Sequence, residues 1–302
     1  MDKKAVLNRI RDIYLDGGNI ISHIRDGNKN SIEDIMISYD FQAGTYTEKY
    51  YEDPNNVDLY INGLAKTINK LNCPKKSIVE CGVGEATSLL SLLKQLSFRF
   101  DYVGGFDISW SRIKAAMSLA QGNKEYLEGA DLYVADMFHI PYSDNSISIV
   151  YTVHAMEPNG GEEKELLKEL YRVTRDYLIL IEPAYEFADE EGKKRMENLG
   201  YITNLYGAAK MLGYNIVSWE PYLSEAKMNP LNPSGIMIIK KEADFESQGV
   251  NDTCLCDPIT KKSLEFIGDC MYSKESFLAY PIIGDIKCLT PDNAVVAVKM
   301  ME

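Results

Sequence analysis

Positive charge is scarce in this chain: 32 lysines and arginines stand against 45 aspartates and glutamates, a formal net charge of −13. Proteins that bind nucleic acid neutralise phosphates with Lys and Arg, so this balance argues against a nucleic-acid substrate, although a local basic patch can survive a global deficit. Long apolar runs are missing too. No stretch approaches the roughly 18 residues of a membrane span, and the first residues, Met1-Asp2-Lys3-Lys4-Ala5-Val6, do not open a signal-peptide core. A cytoplasmic protein is the expectation. Histidine is limited to His23, His139 and His154, which leaves few candidates for proton transfer near neutral pH. Six cysteines, Cys73, Cys81, Cys254, Cys256, Cys270 and Cys288, are too sparse and uneven for a disulfide framework and read as reduced thiols. What is present suits a folded chain of 302 residues: 45% hydrophobic and 25% charged, enough for one large or two modest domains.

The informative stretch is Ser77-Ile78-Val79-Glu80-Cys81-Gly82-Val83-Gly84, followed by Leu89, Leu90, Leu92 and Leu93. Ile78 and Val79 read as a short buried parallel strand, the two glycines as a tight turn, and the leucines as a helix covering a sheet. A small polar ligand then belongs at the helix N-terminus. A dinucleotide fingerprint needs glycine at its first, third and sixth places, here Gly82, Gly84 and Thr87, and the third is missing. Glu80 ahead of the glycines and Glu85 within the loop also disfavour a pyrophosphate. The loop suits a cation or a zwitterion. S-adenosylmethionine carries an ammonium and a sulfonium, no phosphate, and ribose hydroxyls that need acceptors, so it is favoured over NAD.

Strands and helices alternate from Ser77 onward, which predicts an open α/β sheet. The second strand, 102–108, ends in Asp107, a carboxylate placed to accept from both ribose hydroxyls or else to cap the helix starting near Ser109. The third, 131–137, brings Asp136 to the adenine amino group, with Ile108 and Met137 sandwiching the base. The fourth, 147–153, delivers His154 and Glu157 to the carboxyl end of the sheet, where ligands of such sheets collect. His154 is the leading general base and Glu157 a second one. The alternative is a histidine that only borders the cofactor, since alignment alone can suffice for methyl transfer. The fifth strand, 177–181, ends in Glu182 and Tyr185, either acceptor-site residues or ordinary loop residues. Strands at 215–222 and 235–240 lack a full crossover helix between them, predicting an antiparallel pair at the sheet edge and seven strands in all.

Residues 1–75 read as a helical cap. Val6, Leu7, Ile10, Ile13 and Tyr14 make one stripe ended by Gly17-Gly18, while Asp53 and Pro54 start a second helix with Val57, Ile61, Leu64, Ile68 and Leu71 at helical spacing. Between them, residues 37–50 are too aromatic and polar for a plain linker. Tyr39, Gln42 and Tyr46 either face the cofactor as part of a lid or simply pack.

In order and spacing, Ile78 to Gly84, Phe106-Asp107, Ala135-Asp136-Met137 with Ile140-Pro141-Tyr142, and Val153-His154 resemble the successive motifs of class I S-adenosylmethionine-dependent methyltransferases, over residues 40–240. The resemblance implies a seven-stranded Rossmann-like core at 76–245 with helices on both faces, S-adenosylmethionine as cofactor and S-adenosylhomocysteine as product. It places Glu80, Gly82 and Gly84 beside the methionine part, Asp107 at the ribose, and Asp136 and Met137 at the adenine, with Ala86 in place of the usual third glycine, and Cys81 is counted among the cofactor-binding residues. Residues 39–46 also resemble the entry segment of the branch related to ubiquinone and menaquinone methyltransferases, which implies a small-molecule acceptor.

The tail from Cys254, with Cys256, Cys270 and the stretch Ala279 to Ile286, resembles a Trm112-type zinc ribbon and implies a small β-rich module at 250–302. Such ribbons supply two Cys-x-x-Cys knuckles. Ile259 stands where the thiolate after Cys256 belongs, and the later knuckle has Cys270 alone, so a metal-free, hydrophobically packed relic is expected. The favoured function is in-line methyl transfer to a small molecule. Its rivals are a non-catalytic scaffold acting through the tail, an RNA or protein methyltransferase, and a nucleotide-dependent oxidoreductase.

Overall fold

The computed structural model describes residues 3–25, 27, 29–242 and 255–301, so Cys254 lies outside the described residues. Five helices come first: α1 Lys3–Leu15, α2 Ile20–Ile24, α3 Ile32–Phe41, α4 Thr45–Glu52 and α5 Pro54–Lys70. Local chemistry sets their starts. Ser31 and Asp34 form a reciprocal capping box on α3, and Asp53 caps α5 through the Asn56 N–H with Pro54 in the first turn. The aromatic segment expected to be more than a linker is the end of α3 and all of α4.

The core follows as β1 Ser77–Cys81, α6 Thr87–Gln95, β2 Tyr102–Asp107, α7 Trp110–Gly122, α8 Lys124–Leu127, β3 Asp131–Val134, β4 Ile147–Val153, α9 Glu163–Val173, β5 Thr174–Pro183, α10 Glu190–Leu199, α11 Leu205–Met211, β6 Ile216–Pro221 and β7 Ser234–Lys240. They form one seven-stranded sheet in the order β3-β2-β1-β4-β5-β7-β6. Strands β1 to β5 pair in parallel, and β7 runs antiparallel to both β5 and β6. The order reverses between β1 and β4, and the loops after their carboxyl ends open the crevice in which such sheets bind ligands.

Alternation along β1 shows how both faces are filled. Ile78 packs with Leu64, Leu89 and Leu90 of α5 and α6, while Val79 packs with Leu166, Leu170 and Ala209 of α9 and α11. Both faces of the parallel strands are therefore covered.

The tail makes a second sheet from β8 Glu265–Ile267, β9 Cys270–Ser273, β10 Leu278–Ile283, β11 Ile286–Lys287 and β12 Val295–Val296. It lies along the otherwise open edge of β3. The Leu289 N–H donates to the Val134 carbonyl at 2.7 Å, Lys287 meets Asp131 at 2.6 Å, and the Cys256 N–H donates to the Pro141 carbonyl at 2.9 Å. Covering an edge strand removes a site of unwanted pairing. Cys256, Cys270 and Cys288 are buried free thiols, and among the described residues no three His, Cys, Asp or Glu side chains converge to hold a metal. Among those residues no helix is long and apolar enough to cross a membrane.

Candidate active site

The β1–α6 loop is built around backbone constraints. Gly82 has φ +74°, and a Cβ there would come within 2.3 Å of Ala155 Cβ, so this glycine lets the loop pass the turn after β4. Gly84 follows at φ +54°, and Ala86 takes φ +61° at the start of α6. That left-handed backbone is the physical reason glycine suits position 86, and alanine holds it at a cost of about 1–2 kcal/mol.

Asp107 ends β2 beneath this loop. Its Oδ2 accepts from the Gly84 N–H at 3.0 Å and its Oδ1 from the Ser109 N–H at 2.9 Å. Burial pushes the Asp107 carboxyl above its ordinary pKa, opposed by the Arg112 guanidinium and the backbone donors. Asp136 follows β3 in the next loop, rather than lying within the strand as expected. Its Oδ1 accepts from the Phe138 N–H at 2.9 Å and its Oδ2 lies 3.1 Å from His139 Nδ1. Asp107, Ile108, Asp136, Met137, Gly82, Gly84 and His154 line one cavity, together with Tyr39 and Tyr46 from the N-terminal helices.

Other expected side chains do not reach it. Glu80 is 1% exposed, and the pleat turns it toward the α5–α6 layer, where Ser88 donates to it at 2.5 Å and Tyr151 at 2.8 Å. The expectation that its carboxylate borders the ligand is not met, because period-two alternation puts it on the same face as Ile78. Burial raises its pKa to about 7 against those two donors. Cys81 packs on the opposite face with Val79. Gln42 folds back to donate to the Ser38 carbonyl and hydroxyl, lining only an outer cavity. Glu182 is fully buried and holds the turn after β4 by accepting from the Ala155 and Met156 N–H groups at 3.0 and 3.2 Å. Tyr185 donates to Glu197 at 2.6 Å and lines neither cavity.

His154 sits in that turn at φ +54°, a conformation rarely adopted by a non-glycine residue. Its Nε2 lies 2.7 Å from Tyr60 Oη and 2.9 Å from Ser234 Oγ, and its Nδ1 lies 3.0 Å from Glu157 Oε2. Both ring nitrogens are thus engaged by protein. Burial acts to lower the imidazole pKa, but the Glu157 hydrogen bond and the charges of Glu157 and Glu182 outweigh it, and the pKa rises. Glu157, with its side chain 13% exposed, lines the inner cavity and also the outer one. The two cavities share Tyr39, Tyr46, Glu157 and Pro158, so they lie against the same quartet.

The roof is fastened by carboxylates that the sequence reading did not assign. Glu85 accepts from the Gly44 N–H at 2.9 Å, the Thr47 N–H at 2.6 Å and the Thr47 hydroxyl, capping α4 from the glycine loop. Asp40 of α3 returns the arrangement, accepting from Ser109 Oγ at 2.7 Å and from the Ser111 N–H and Oγ at 3.0 and 2.9 Å at the start of α7. Arg112 lies between the Tyr39 and Tyr46 rings, 4.4 and 4.6 Å from their centroids. One signal for it was legible: Arg112 occupies the buried stripe of α7 with Ala116 and Leu119, where an apolar residue is the ordinary choice.

Residues 79–180 match the family model of a methyltransferase domain. No curated protein matches the sequence. Among solved structures, an S-adenosylmethionine-dependent methyltransferase from Aquifex aeolicus is 16% identical, covering 65% of this chain and 97% of that one at a TM-score of 0.47. Magnesium protoporphyrin IX methyltransferase from Synechocystis PCC 6803 with bound S-adenosylmethionine is 15% identical, with 80% and 98% coverage and a TM-score of 0.47. Geranyl diphosphate C-methyltransferase from Streptomyces coelicolor A3(2) is 10% identical, with 60% and 78% coverage and a TM-score of 0.46. The domain match and the observed strand order support a class I methyltransferase. The matched domain family is S-adenosylmethionine-dependent.

The cavity fits that cofactor chemically. Two carboxylates, Asp107 and Asp136, are acceptors of the kind its hydroxyls and exocyclic amine would need, Ile108 and Met137 offer apolar faces for a base, and the lining offers no basic cluster for a pyrophosphate, Arg112 being its only Lys or Arg among the described residues.

Proposed function

We propose that this chain transfers a methyl group from S-adenosylmethionine to a small-molecule acceptor. The observation that carries the reading is the convergence of Asp107, Asp136 and the Gly82–Gly84 loop on one roofed cavity that adjoins a second across Tyr39, Tyr46, Glu157 and Pro158. When bound, S-adenosylmethionine supplies an electrophilic methyl on its sulfonium. Asp107 and Asp136 hold the adenosine, and the α3–α4 roof keeps water from the reacting groups. The outer cavity, lined also by Tyr14, Arg25 and Tyr201, holds the acceptor.

Glu157 is the group placed to take a proton from an acceptor that carries one, because it faces both cavities. His154 supports it through the 3.0 Å contact, with Tyr60 and Ser234 fixing the far side of the ring. Glu182 serves this site by holding the turn beneath His154, without reaching the acceptor. A roofed entrance and a net charge of −13 favour a small acceptor over RNA. The C-terminal module, Trm112-like in sequence, acts as a brace for β3. The test is methyl transfer from isotope-labelled S-adenosylmethionine to a cell extract split into low-molecular-weight, protein and RNA fractions. Label in the small-molecule fraction is the expected result, and label confined to protein or RNA would overturn the acceptor class.

A further inference from the structure

Arg112 is the only Lys or Arg among the described residues that line the inner cavity, and the proposed function leaves its chemistry unused. The residue is only 6% exposed, yet its Nη2 is buried without a hydrogen-bond partner. Its Nε donates to the Tyr39 carbonyl at 3.3 Å, and the Tyr39 and Tyr46 rings clamp the guanidinium plane from the roof. The other terminal nitrogen, Nη1, lies beside Gly84, 3.3 Å from where a Cβ would stand, so the planar fork sits at the glycine loop within the cavity lining.

A buried guanidinium N–H without an acceptor is costly, and the fork is shaped for a planar two-oxygen anion. Asp107 is not the partner of this fork: its oxygens accept from the Gly84 and Ser109 N–H groups, and no ion pair joins it to Arg112 within 4.0 Å among the described residues. We infer that Arg112 is a carboxylate-recognition subsite, and that the group it takes is the amino-acid carboxylate of the cofactor. The inference rests on the cofactor reading above and adds to it the residue that separates amino-acid-bearing ligands from bare nucleoside thioethers. The clamp explains why arginine rather than lysine is used: two aromatic faces hold a flat cation in one orientation, which an ammonium would not share.

The experiment compares two ligands on the intact chain. S-adenosylhomocysteine carries the carboxylate, and 5′-methylthioadenosine has the same adenosine and sulfur without it. Isothermal titration of wild type, Arg112→Met and Arg112→Lys with each ligand isolates the carboxylate. For a charge-assisted hydrogen bond, Arg112→Met should weaken S-adenosylhomocysteine about 10- to 100-fold while 5′-methylthioadenosine changes less than about threefold. Arg112→Lys should fall between. Binding of 5′-methylthioadenosine also reports that the variant has kept its cavity and roof. Equal weakening of both ligands, or none of either, would overturn the subsite alone. Failure of folded wild type to bind either ligand would overturn the cofactor reading and the subsite with it.

Discussion

The floor and the roof of the cavity are held by different kinds of contact. The floor is local: β1 enters a glycine turn, β2 ends on Asp107, and the Asp107 oxygens are fixed by N–H groups from the adjoining loops at 3.0 and 2.9 Å. The roof is long-range. Glu85 caps a helix some forty positions earlier in the chain, and Asp40 caps one seventy positions later, so each partner supplies a carboxylate to the other's helix N-terminus. A floor of this kind forms wherever the sheet forms, whereas a roof fastened by two caps can open without unfolding the sheet.

The largest effect should come from the floor. Asp107→Ala removes the carboxylate proposed to accept from the ribose hydroxyls and should weaken S-adenosylhomocysteine binding by about 100-fold, with secondary structure retained by circular dichroism. A loss below about threefold would mean that the floor does not hold the nucleoside.

The roof should give a smaller, kinetic effect. Glu85→Ala removes the α4 cap, worth about 0.5–2 kcal/mol, and should speed ligand dissociation up to about 30-fold and expose residues 31–52 to limited proteolysis. Asp40→Ala should act in the same direction. Because both carboxylates fasten the same pair of helices, the double variant should fall short of the summed effects. Strict additivity, or unchanged proteolysis, would show that the helices do not move as a roof.

The smallest effect sharpens the contrast between two neighbouring glutamates, one in β1 and one in the loop that follows it. Glu85 faces the roof, and Glu80, five residues earlier, is buried in the floor with its pKa raised from 4.5 to about 7. The folded chain therefore binds a proton that the unfolded chain has released between those values, so this contribution is full below about pH 4.5 and lost as pH rises through 7. The melting temperature should fall from pH 6 to pH 8. Glu80→Gln should flatten that slope and raise the melting temperature at pH 8 by roughly 2–6 °C. An unchanged slope would assign the pH dependence elsewhere, Asp107, His154 and Glu182 being further buried groups whose pKa is raised.

The same division governs what was legible in the sequence. Strand, turn and helix signals placed the seven strands, the Asp53 cap and the break at Gly200, because each depends on neighbours a few residues away. Asp107 was legible for the same reason. Glu80 was not, since its residue type suggested a ligand contact while strand alternation, equally readable, pointed it at α6. Glu85 and Asp40 were visible as charges, but their partners lie far along the chain and no spacing rule pairs them. Tyr60 and Ser234 meet at His154 from α5 and β7, a contact that exists only once the sheet is closed. Arg112 left a trace as a charge on an apolar stripe.

We propose that the roofed cavity binds an adenosyl amino-acid cofactor over Asp107 and Asp136. Titration of S-adenosylhomocysteine into the purified wild-type chain tests it most directly, with NAD as the comparison ligand. Saturable one-to-one binding of S-adenosylhomocysteine, and none of NAD under the same conditions, is the expected result. A folded protein that ignores S-adenosylhomocysteine, or that prefers NAD, would contradict it.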